Sequence, residues 1–76
     1  MNNKEEEGER ERLRLRWAAL ERRSAELKTV TDLLAGSHDV EAIRAHQGVL
    51  RQHEADIRAF NEMLEAFHDR FGPLRH

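Results

Sequence analysis

Cysteine and tyrosine are absent from this sequence, proline occurs once, and one tryptophan and three phenylalanines supply every large aromatic ring. Each shortage excludes something. Without cysteine there is neither a disulfide nor a thiolate zinc site, as suits a reducing compartment. No apolar run approaches the ~20 residues that a membrane span requires, and the segment from Met1 to Arg16 lacks the apolar centre of a signal peptide. A formal net charge of −2 provides no general attraction to nucleic acid or anionic lipid. The expectation is a soluble, cytoplasmic protein with neither a membrane nor a nucleic acid as partner.

What remains is charge and helix-forming aliphatic residues. Charged residues make up 37% of the 76 positions and aromatics 5%, so the apolar supply is thin and must be concentrated on one face. A chain of this size is one small domain, and a lone core so small usually needs a metal, a disulfide or a partner chain.

The apolar residues are concentrated in order. Ile43, His46, Leu50, His53, Ile57, Phe60, Leu64, Phe67 and Phe71 recur at alternating steps of three and four. That is the period of a helix burying one narrow stripe against other helices. Leu13, Trp17, Leu20, Ser24, Leu27, Thr31 and Leu34 form a second such seam, widened by Val30 and Leu33. Between the two seams, Gly36 suits a left-handed helix terminus, and Ser37 or Asp39 can cap the next helix. Gly72-Pro73 is a strong stop.

The reading is all-α: a disordered tail at 1–8, helix 9–35, turn 36–38, helix 39–71 and a C-terminal tail at 72–76. The short break favours an antiparallel two-helix hairpin; one continuous helix bending at Gly36 is the rival. Two helices cover only part of each other's stripe, so Trp17, Ile43, Phe60, Phe67 and Phe71 are expected to stay partly wet in a monomer. Dimerisation of two hairpins into a four-helix bundle would bury them. The expected protein interface comprises Trp17, Leu20, Leu27, Ile43, Leu50, Ile57, Phe60, Leu64, Phe67 and Phe71. Ser24, Thr31, His46 and His53 are read as tolerated, partly solvated seam positions near the wider end of the hairpin.

Candidate chemistry is sparse. His46 and His53 lie two turns apart, roughly 10 Å along the axis, too far to share one ion within a helix. Glu65 and His68 have the spacing of the helical pair in di-iron bundles. They flank the inward direction set by Leu64 and Phe67, however, and read as solvated. Arg10, Arg12, Arg14 and Arg16 divide between helix faces and alternate with Glu9 and Glu11, so they form no continuous basic stripe. No phosphate loop, nucleophile elbow or zinc spacing is present. No catalytic residue, metal ligand or cofactor is expected, and the chain is not read as an enzyme.

Leu13-Arg14-Leu15-Arg16-Trp17-Ala18-Ala19-Leu20 resembles the RWxxL stretch of spectrin-repeat helices. Asp39-Val40-Glu41-Ala42-Ile43 and Leu50-Arg51-Gln52-His53-Glu54-Ala55-Asp56-Ile57 resemble a spectrin-type second helix. Together these segments span about half the chain. A spectrin repeat has three helices, so the resemblance implies a two-helix variant that takes its third helix from a partner.

The functional expectation is a small non-enzymatic regulatory or adaptor protein that binds itself and another protein through its helices, as an antiactivator or chaperone does. A spectrin-like scaffold module is the alternative, and a metal-binding helical bundle the second alternative.

Overall fold

The computed structural model describes residues 3–72, with side chains from Lys4 onward. It contains two helices and, among the described residues, no strand: α1 (Asn3–Leu34) and α2 (Val40–Phe71). Positions 1–2 and 73–76, parts of the two tails read from the sequence, lie outside the described residues.

α1 begins at Asn3, six residues before the Glu9 start read from composition. Glu5 and Glu6 place negative charge on its first turn, where the helix dipole is positive. Ion pairs along the helix then follow the sequence spacing. Arg10 donates to Glu6 at 3.2 Å, Arg12 to Glu9 at 3.0 Å, and Arg14 to Glu11 at 2.9 Å. Arg70 of α2 reaches Glu5, tying the first turn of α1 to the last turn of α2. That cross-helix contact is invisible to a reading of the N-terminal segment alone, which sees only polar residues.

The turn uses the residues that the sequence offers for it. The Ala35 N–H donates to the Thr31 and Asp32 carbonyls at 3.0 and 3.3 Å, and the Ser37 N–H closes onto Leu34 at 2.9 Å. Gly36 sits at φ +81°, where a side chain would be strained. Asp39 is the N-cap of α2. Its carboxylate accepts from the Ala42 N–H at 3.0 Å, and its own N–H donates to the Ser37 hydroxyl at 3.1 Å. A cap of this kind is worth about 1 kcal/mol. At the far end Gly72, at φ +87°, donates its N–H to the His68 carbonyl at 2.8 Å.

The helices run antiparallel in a constant register. Trp17 meets Phe60, Ser24 meets His53, and Thr31 meets His46. Each step of seven along α1 is thus matched by a step of seven back along α2, the heptad rule for paired helices. The result is a rod of 58 × 16 × 15 Å. Its radius of gyration is 16.8 Å, against roughly 11 Å for a compact domain of this length.

A rod buries little. Among the described residues, Leu13, Leu20, Leu27, Phe60 and Phe67 are the buried apolar side chains, and no side chain is wholly excluded from solvent. Each of the five contributes about 1.5–3 kcal/mol relative to an exposed position. The chain exposes 6332 Å², whereas a compact folded monomer of 8.9 kDa exposes roughly 4800 Å².

Candidate functional site

The heptad register sorts the seam residues into two rows on each helix. Leu13, Leu20 and Leu27 of α1 and His53, Phe60 and Phe67 of α2 are the residues that the hairpin itself buries. The second rows are less covered. On α2 they comprise Ile43, Leu50, Ile57, Leu64 and Phe71, all half-buried. On α1, Trp17 remains 46% exposed although its ring lies 5.4 Å from that of Phe60.

The ten residues read as a protein interface therefore divide. Leu20, Leu27, Phe60 and Phe67 are core, and the expectation that Phe60 and Phe67 would be wet in a single chain is corrected: they are 4% and 5% exposed. The reason is geometric. The two helices lean their inner rows onto one another, with Leu13 and Leu20 joining Phe60 and Phe67 in one cluster. Trp17, Ile43, Leu50, Ile57, Leu64 and Phe71 remain as a continuous apolar stripe along one side of the rod. Ile57, Leu64 and Phe71 pack against the cluster from that side.

A groove runs along this stripe. One hollow is lined by Trp17, Leu20, Glu21, Ser24 and Ile57. A second, of about 360 Å³, continues toward the turn with Leu27 and Leu50 in its floor and Lys28 and Glu54 at its edges. Ser24 belongs to both. The hollows exist because Ser24 and Thr31 stand where a heptad seam normally carries a large aliphatic side chain.

The polar seam residues are paired across the helices; Ser24 and Thr31 are exposed and His46 half-buried, in keeping with partly solvated positions, whereas His53 is buried. The Ser24 hydroxyl lies 2.6 Å from Nε2 of His53, and the Thr31 hydroxyl 2.7 Å from Nε2 of His46. They also occupy the turn-proximal half of the hairpin and not a splayed end. Thr31 donates its own proton to the Leu27 carbonyl at 2.9 Å, so its oxygen accepts the Nε2–H of His46. His53 is 6% exposed, and its Nδ1 has no partner. Donation from Nε2–H to Ser24 leaves only a lone pair unpaired at Nδ1. The other tautomer would bury an N–H without an acceptor, at about 1–3 kcal/mol. The geometry therefore assigns the proton to Nε2.

Charged groups add no convergent chemistry. Among the described residues no three carboxylate or imidazole groups converge on a point that could hold a metal ion. Glu65 and His68 are exposed, and the His68 ring lies edge-on to Phe67 at 6.4 Å. The Arg14 guanidinium, bonded to Glu11, holds that carboxyl below the usual carboxylate range despite the opposing effect of desolvation. No helix among the described residues is long and apolar enough to cross a membrane.

Sequence reasoning missed the pairing of Ser24 with His53 and of Thr31 with His46. The signal was present: both polar pairs are spaced by seven, in opposite order along the two helices. Compared with protein families, curated proteins and solved structures, the chain matches none. The spectrin-like resemblance therefore rests on its short segments alone.

Proposed function

We propose that this protein is a non-enzymatic regulatory or adaptor module that works by helix-mediated binding. It self-associates as a homodimer, with two hairpins forming a four-helix bundle, and offers its helices to another protein. One observation carries the reading: six apolar side chains, Trp17, Ile43, Leu50, Ile57, Leu64 and Phe71, stay incompletely covered along one side of a rod. Contiguous uncovered apolar surface of this kind marks association. The exposed area exceeds that of a compact monomer by about 1500 Å², more than the ~800 Å² that each partner buries in an ordinary protein–protein interface.

The test is the mass in solution. Sedimentation equilibrium at micromolar concentration should give a dimer for the native chain. Ile57→Asp places a charge in the stripe without removing any of the five buried apolar side chains, and should shift the population to helical monomer. A native chain that sediments as a monomer at tens of micromolar would overturn self-association.

A further inference from the structure

We infer that a second copy of this chain occupies the groove over Ser24, and that Lys28 of each copy faces Glu54 of the other. This inference rests on the self-association proposed above and adds the face, the pairing and the topology.

Size and charge both favour a second copy as the occupant. The face is long and straight, 58 Å by about 16 Å, which accommodates the ~800 Å² per partner of a stable interface. A short peptide or small ligand would leave most of the stripe uncovered. The rims carry opposite charges, with Lys28 on α1 and Glu54 on α2 bounding the same hollow. Neither takes part in the ion pairs found among the described residues. At this hollow, one bank positive and the other negative match a second copy when a two-fold axis swaps the banks.

The required axis lies along the rod. Rotation about it leaves heights unchanged and sets each α1 over the second copy's α2, so every helix in the bundle has antiparallel neighbours. Lys28 and Glu54, which face one another across the hollow within one chain, then face one another again between chains. Side chains tilt toward the N-terminus of their own helix. On antiparallel helices this brings Glu54 and Lys28 together and moves Glu21 and Glu54 apart. Ser24 and Thr31, being small, let the second copy approach closely over this segment. The opposite side of the rod is less suited to this occupant, because its inner-row residues are already buried by the hairpin.

The test uses charge reversal at two exposed positions. Lys28→Glu and Glu54→Lys should each raise the dimer dissociation constant roughly tenfold, because each replaces two attractive contacts per dimer by two repulsive ones. Mixing the two variants in equal amounts should restore native affinity, since the mixed dimer has complementary charges at both contacts. Contacts within a chain are unchanged by mixing, so only pairing between chains predicts this rescue. A native dimer indifferent to both reversals would overturn the face, and weakening without rescue on mixing would overturn the Lys28–Glu54 pairing. A native chain that is monomeric would overturn the self-association reading itself. Lys28→Gln and Glu54→Gln, which add no repulsion, should weaken the dimer less than the reversals. Equal effects of neutralisation and reversal would also count against the charge pairing.

Discussion

The two halves of the hairpin are held together by different chemistry on the same register. From Leu20 to the open end, the facing positions are Leu13, Trp17, Phe60 and Phe67, and the contact is apolar. Toward the turn, Ser24 and Thr31 take the place of Trp17, and His53 and His46 that of Phe60 and Phe67, so that two hydroxyl–imidazole hydrogen bonds join the helices beside the buried Leu27. Apolar burial tolerates small shifts in position. Hydrogen bonds of 2.6 and 2.7 Å do not. The apolar half thus supplies most of the attraction between the helices, and the polar half selects one register out of those that the heptad allows.

That division is tested first at its strong end. Phe60→Ala removes the ring that meets Trp17 and joins the core cluster, and should cost about 3–5 kcal/mol. With five buried apolar side chains among the described residues, most of the helical circular dichroism at 25 °C should be lost. A melting curve close to native would mean that the aromatic half does not carry the fold.

The polar half should respond differently. Ser24→Ala leaves the buried Nε2–H of His53 without an acceptor and should cost about 1–3 kcal/mol. Replacing both partners, with Ser24→Ala and His53→Leu together, removes the orphaned group. The double variant should recover much of that loss in a thermal melt and become less particular in its register. If the double variant were less stable than Ser24→Ala alone, the hydrogen bond would not be what joins the helices there.

The smallest effect belongs to the exposed charges outside this comparison. Glu11, its carboxyl held low by Arg14, contributes stability that is fully present above the usual carboxylate range. That contribution is lost as pH falls through the lowered value. Arg14→Gln should therefore make helix content slightly less sensitive to acid, as followed by circular dichroism from pH 7 to 2. A large change at pH 7 would contradict the placement of this pair on solvated surface.

Much of the fold could be read from the residues. The turn was legible because Gly36, Ser37 and Asp39 act locally, each through its own backbone geometry or nearest N–H groups. Both seams were legible because periodicity records which side of a helix faces inward. Less of the site was legible. The pattern leaves Phe60 and Phe67 partly wet in a single chain, yet Leu13 and Leu20 join them in one buried cluster. Periodicity does not say how far the facing helix leans over each row. α1 starts before the helix-forming composition does, and Arg70 meets its first turn at Glu5 from the far end of the chain.

The sequence by itself determined that there are two helices, where each turns, and which residues point inward, since all of these follow from local backbone preference and a period of 3.6. Only the tertiary structure decided which inward residues meet. Antiparallel packing joins positions distant in sequence, and a slip by one heptad leaves the apolar pattern unchanged. The constant pairing of Trp17 with Phe60, Ser24 with His53 and Thr31 with His46 selects one of those registers. That register covers one pair of rows and leaves the stripe from Ile43 to Phe71 half open.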